Sequence, residues 1–198
     1  MFYYISGKLA VCQPNLAVID CGGVGFKCSI TMNTYKAISG KDSVKLFTYL
    51  NVKEDALDIY GFETEQELQF FTLLISISGV GPKVAIAILS ELQPEAFANC
   101  IITSDIKRLT KAQGVGTKLA QRICLELKDK IAKTKATEGS EIVSEDMPAA
   151  DDVVADAVAV LMALGYSKNE SQKAVSRCSA DETNALVKQA LRLLAKNL

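Results

Sequence analysis

From Tyr4 to Phe62 the apolar and polar positions alternate with a period of two. The pattern predicts five short strands, at about Tyr4–Leu9, Leu16–Asp20, Gly25–Met32, Val44–Val52 and Leu57–Phe62. Asn15 and Gly22-Gly23 supply the turns around the second strand, and Thr34–Ser39 fits a helix between the third and fourth. Five strands in so short a stretch suggest a small barrel of the OB type.

At Glu65 the period lengthens to about 3.6, with Leu68, Phe71, Leu74 and Ile75 on one helical face. The segment that follows reads as helix throughout. Pro82 and Pro94 stand where helices begin, Ser104-Asp105 offers a further N-cap, and Gly79, Gly81, Gly114 and Gly116 punctuate the run. Residues 134–151 are small, polar and acidic, which predicts a flexible linker. Three short helices then fit residues 152–164, 167–176 and 181–196, with Gly165 closing the first and Asp181 capping the third. The expected architecture is therefore multidomain α+β. An OB-type β-barrel occupies residues 1–63, an all-α domain 64–133, an acidic flexible linker 134–151, and a C-terminal three-helix, UBA-like domain 152–198.

The all-α segment repeats itself. Gly79-Val80-Gly81-Pro82-Lys83 and the helix behind it align with Gly114-Val115-Gly116-Thr117-Lys118 and its helix, and Ala85/Ala120, Ile88/Ile123, Glu91/Glu126 and Leu92/Leu127 recur in register. A Gly-x-Gly turn that opens into a helix brings backbone close to an anion. It also aims unpaired N–H groups and the positive end of the helix dipole at one point. Lys83 and Lys118 add charge beside it, Val80 and Val115 plug the turn into the core, and Ala85 and Ala120 allow close helix packing. Such contacts meet phosphate and no base edge, so they would hold DNA without reading sequence. Either copy alone reads most simply as a tight helix–helix turn; the matched pair resembles the helix-hairpin-helix motif, which makes residues 64–133 a tandem helix-hairpin-helix DNA-binding domain. Gly23-Val24-Gly25 precedes a strand-like run and lacks the helix, so it reads as a turn only.

Charge sharpens this picture. The whole chain carries 22 Lys+Arg and 23 Asp+Glu, net −1, but the balance is uneven: residues 1–63 are neutral (6 against 6), 64–135 carry +3 (10 against 7) and 136–198 carry −4 (6 against 10). The positive excess coincides with the repeated turns, where a polyanion would dock. With no histidine and six scattered cysteines lacking any C-x-x-C pair, zinc fingers and His-based catalysis are not expected, and the thiols read as reduced, buried small hydrophobes. A P-loop is missing, so no nucleotide cofactor is expected, nor any metal. Apolar runs are too short to span a bilayer, and the N-terminus lacks a basic leader and a long apolar stretch, so the cytoplasm is the expected compartment.

The order of these parts resembles the RuvA family along the whole chain. The most specific matches are Gly22-Gly23-Val24-Gly25-Phe26, Val52-Lys53-Glu54-Asp55-Ala56 with Tyr60-Gly61-Phe62, Gly79-Val80-Gly81-Pro82-Lys83 with Ala87-Ile88-Leu89-Ser90, and Ala163-Leu164-Gly165-Tyr166. The resemblance implies a non-catalytic subunit that binds four-way (Holliday) junctions as a homotetramer or a pair of tetramers. It further implies recruitment of the AAA+ ATPase RuvB by the C-terminal domain and access for the resolvase RuvC. The family's acidic pin would fall on Glu54 and Asp55, whereas residues alone suggest an ordinary solvated hairpin tip. Leu161, Leu164 and Tyr166 are candidates for the motor-binding surface, although most apolar positions of so small a domain must form its core. Two other readings compete: a helix-hairpin-helix repair enzyme, nuclease or glycosylase, for which no catalytic Asp or Lys is identifiable, and a single-strand binder using the barrel. The barrel's neutral charge, with no obvious interleaving of Lys/Arg and aromatic residues, disfavours the last.

Overall fold

The computed structural model of the chain describes residues 2–138, 149–180 and 182–194. The chain divides into two compact units, Met1–Pro94 with Lys111–Val115, and Glu95–Thr110 with Gly116–Leu198.

The first unit opens with a closed five-stranded barrel, β1 (Tyr4–Gln13), β2 (Leu16–Cys21), β3 (Val24–Ile30), β4 (Ser43–Val52) and β5 (Leu57–Phe62), in the order β1-β2-β3-β5-β4. Only β3 and β5 pair in parallel. Alternate residues point inward, and Ile5, Ala17, Ile19, Cys28, Ile30, Val44 and Leu46 fill the interior together with Ile38 of α1 (Met32–Ile38). The expected strands are all present. β1 runs four residues further than the alternation predicted, because its register shifts between Leu9 and Val11 and this bulge breaks the period of two.

Outside the barrel α2 (Glu65–Ile75) packs its Phe71 ring against Tyr49, Tyr60 and Phe62, with centroids 5.3, 5.2 and 4.9 Å away. Its buried face is Glu67, Phe70, Phe71 and Leu74, one position round from the expected stripe, and Leu68 and Ile75 are only half-buried. A carboxylate inside explains the miss: Glu67, 3% exposed, accepts hydrogen bonds from Thr31 Oγ1 (2.5 Å) and Thr34 Oγ1 (2.7 Å) of the α1 N-terminus. α3 (Pro82–Glu91) follows with Pro82 at its first position; Asn33 donates to the carbonyls of Leu89 and Leu92 at its far end.

In the second unit, α4 (Pro94–Thr103) buries Phe97, Ala98, Cys100 and Ile101. Ser104, at φ 52, turns the chain, and Asp105 caps α5 (Ile106–Leu109) by accepting from the Arg108 N–H. α6 (Thr117–Glu138) buries Ala120, Ile123, Cys124 and Leu127. α6 continues to Glu138 and α7 begins at Ala149, and residues 139–148 of the expected linker lie outside the described part. Lys, Ala and Glu are good helix formers, and no breaker stands before Gly139.

α7 (Ala149–Ala163), α8 (Lys168–Val175) and α9 (Thr183–Leu194) form the expected three-helix domain. Gly165, at φ 92, ends α7 in a Schellman turn: its N–H donates to the Met162 carbonyl (2.9 Å) and that of Tyr166 to the Leu161 carbonyl (3.1 Å). The expected Asp181 cap falls outside the described residues.

Candidate nucleic-acid interface

The two glycine turns are built alike. In each, a short helix ends, a glycine takes a left-handed conformation (Gly79 at φ 89, Gly114 at φ 83), and the following valine donates its N–H back three residues, Val80 to Ile77 (3.0 Å) and Val115 to Ala112 (3.1 Å). Both valines are buried, at 4% and 6% exposure, so the expected plugs are in place. Ala85 and Ala120 are fully buried and donate to the carbonyls of Gly81 and Gly116. Gly23-Val24-Gly25 differs: Gly22 and Gly23 make the β2–β3 turn, Val24 and Gly25 already belong to β3, Val24 is 56% exposed, and no helix follows.

The second glycine of each turn has a different reason to be glycine. Gly79 and Gly114 need their conformation. Gly81 lies at φ −86, Gly116 shows no left-handed φ, and a Cβ built on either would meet nothing within 4 Å. Neither the backbone nor the protein's own packing therefore excludes a side chain there. What a side chain would obstruct is an approach from outside. α3 is fitted for such an approach. Thr31, Thr64, Asp105 and Ser167 cap α1, α2, α5 and α8 with side-chain oxygens, but Gly81 leaves the α3 N-terminus without one. The first N–H groups of α3, at the positive end of its dipole, thus have no side-chain acceptor.

Lys83 and Lys118, on the first turn of their helices, are exposed. Lys83 also lines an open cleft of about 810 Å³ with Lys111, Ser90, Gln13 and Asn15, so Lys111 joins the cations beside the first turn. Sequence reading passed over Lys111 because the hairpin pattern does not include that position. Glu54 and Asp55 sit exposed at the tip between β4 and β5, closed by the Lys53 N–H donating to the Ala56 carbonyl (2.9 Å) and by a 3.5 Å Lys53–Asp58 ion pair. At its base Val52 and Leu57, register partners, are 66% and 70% exposed, an apolar pair that the strand pattern did not single out.

The C-terminal candidates are a correction. Leu161, Leu164 and Tyr166 are 0%, 2% and 9% exposed, so their side chains belong to the core of the three-helix domain rather than to its surface. With about 45 residues, this domain needs every large apolar side chain inside.

Burial pushes the Cys28 thiol up to about 12 and the Cys100 thiol up to about 11, whereas Cys12, Cys21 and Cys178 are only half-buried rather than inside. Among the described residues no cluster of three His, Cys, Asp or Glu could hold a metal ion, and no single helix is long and apolar enough to cross a membrane.

A closed five-stranded barrel followed by paired Gly-Val-Gly turns, each opening into a helix, places the chain among the tandem helix-hairpin-helix proteins. Family models narrow this: RuvA N terminal domain matches residues 1–61, SAM-like helix-hairpin-helix tandem 71–129, and RuvA, C-terminal domain 152–195. The chain belongs to the RuvA family. Among its relatives, the Holliday junction branch migration complex subunit RuvA of Acetivibrio thermocellus is 44% identical over 206 residues, covering 99% of this chain and 100% of the relative. The protein of the same name from Bacteroides thetaiotaomicron is 42% identical over 201 residues, with 100% of both chains covered.

Proposed function

We propose that this chain is the junction-binding, non-catalytic subunit of a branch migration complex. It holds four-way DNA by its backbone at Gly79-Val80-Gly81-Lys83 and Gly114-Val115-Gly116-Lys118. The observation that carries this is the pair of second glycines, Gly81 and Gly116, at positions where a side chain would fit the protein but block a phosphate. The relatives' name supplies the junction and the complex. Hydrolysis of ATP belongs to a separate partner, the RuvB motor, recruited by residues 152–198.

In this reading the chain works in the cytoplasm as a homotetramer, singly or paired, and leaves the junction open to the resolvase RuvC. Four copies would bring Glu54 and Asp55 together, where their charge repels phosphates and keeps strands from settling at the crossover. The exposed Val52 and Leu57 at the base of this tip are apolar surface that the other copies would cover. Functionally the chain is read as barrel 1–63, hairpins 64–133, connector 134–151 and motor-binding domain 152–198.

The test is a competition gel shift of four-way junction against linear duplex, with the native mass of the free protein. Preference for the junction and a mass of four or eight chains support the proposal. Equal affinity for the two DNAs, or cleavage of either in Mg²⁺, overturns it in favour of a helix-hairpin-helix repair enzyme.

A further inference from the structure

On the outer face of the barrel the β1–β4 ladder sets Tyr4 opposite Phe47, Ser6 opposite Lys45 and Lys8 opposite Ser43. The Lys45 ammonium stands over both rings, 4.3 Å from the Tyr4 centroid and 4.9 Å from that of Phe47. Tyr4 nevertheless remains 52% exposed, and Tyr3 beside it 54%. No described carboxylate pairs with Lys45. Two acids of neighbouring elements are engaged elsewhere: Glu65 accepts from the Tyr3 hydroxyl, and Asp20, across from Lys8, accepts from the Gly23 N–H (2.7 Å). Aromatic faces, an uncompensated cation and serine hydroxyls thus share one strand-paired surface, an arrangement invisible in the sequence because β1 and β4 are far apart along the chain.

From this we infer a second nucleic-acid site, for single-stranded DNA: a base stacks on Tyr4 and the adjoining phosphate is held by Lys45. Unpaired bases are the occupants the chemistry selects. In a duplex the π-faces are already stacked on one another, whereas a single strand offers bare faces next to phosphates, matching ring and ammonium. A self-complementary contact with a second copy is a poorer match, because a twofold through this face would set Lys45 against Lys45. The site lies outside both glycine turns, and its occupant differs from the duplex backbone they suit. A junction exchanging strands exposes such bases at its crossover.

The experiment is fluorescence anisotropy of a labelled oligothymidylate with the full chain at low salt, alongside gel shifts with four-way junction. Tyr4→Ala and Lys45→Ala are expected to weaken oligothymidylate binding about tenfold, the scale of one lost base stack, and Tyr4→Phe to retain it. The double variant Lys83→Ala/Lys118→Ala should weaken junction binding and spare the oligothymidylate. The inference fails if the wild-type chain does not bind the oligothymidylate, or if Tyr4→Ala binds it as well as wild type does. It also fails if only the hairpin variant loses single-strand binding, or if the Tyr4 and Lys45 variants change the native mass and leave affinity intact, which would make this face a contact between copies. Loss of junction binding alone in the hairpin variant bears on the proposed function and not on this site.

Discussion

The Thr31 hydroxyl donates to the buried Glu67 carboxylate over 2.5 Å, joining the helix of the β3–β4 connection to the first helix outside the barrel. Thr34 adds a second hydroxyl at 2.7 Å and itself accepts from the Glu63 N–H. Removing the acceptor with Glu67→Ala strands two hydroxyls and should cost about 1–3 kcal/mol, plus the cavity left behind. Chemical denaturation measures it. A loss below roughly 0.5 kcal/mol, the scatter of surface substitutions, would mean the bonds are not maintained in solution.

The same carboxylate gives a pH signature. Burial raises its pKa, against the lowering effect of the Thr31 and Thr34 hydroxyls. Between the ordinary glutamate value and the raised native one, the folded state binds more protons than the unfolded, so this group's contribution declines as pH rises through that window. Glu67→Gln cannot titrate. The stability difference, wild type minus Glu67→Gln, is therefore expected to be largest in acid and to shrink toward neutral pH. Parallel stability curves for the two proteins would contradict the assignment.

Gly79 and Gly81 should fail in different ways. Gly79→Ala forces a side chain into the left-handed region and is expected to cost about 1–2 kcal/mol, seen as a lower Tm. Gly81→Val changes an open N-cap position, so Tm should shift little, by under about 1 kcal/mol equivalent, while junction affinity collapses. Gly116→Val is expected to match it. Normal affinity in a gel shift for either valine variant would refute phosphate contact at these turns.

How much of this was legible beforehand follows from where the information lies. The strands were readable because one face of each is buried, so burial writes a period of two. The hairpins were readable because the motif needs glycine twice, for different reasons, and recurs. Glu67 was not readable, since a glutamate in the first turn of a helix ordinarily faces water, and only the Thr31 and Thr34 hydroxyls across the fold make its burial tolerable. Nor was the Tyr4–Lys45 surface, which strand register creates. Leu161, Leu164 and Tyr166 look identical in sequence whether they fill a core or coat a docking face; only the fold shows that they are buried.

Lys83 and Lys118 are exposed, and contact with phosphate carries no base information. Lys83→Ala and Lys118→Ala should each weaken binding to all DNA sequences alike and reduce the slope of log K against log salt by about one unit at most. Titrations at several salt concentrations on two unrelated junction sequences provide the check. A sequence-dependent loss would point to base contact and away from the backbone.

Leu164 tests the role of the last domain. Its side chain is 2% exposed at the end of α7, just before the Gly165 turn, so Leu164→Ala should cost about 2–5 kcal/mol. A three-helix domain of about 45 residues has little stability to spare. The variant is therefore expected to lose the cooperative unfolding of residues 152–198 and, with it, stimulation of the motor's ATPase, while junction affinity is unchanged. Circular dichroism melts of the full chain, read beside ATPase assays, separate the two explanations. If stimulation is lost while the domain still melts cooperatively at the wild-type temperature, Leu164 would contact the motor directly. If both are lost together, the docking surface consists of exposed residues that this core holds in place.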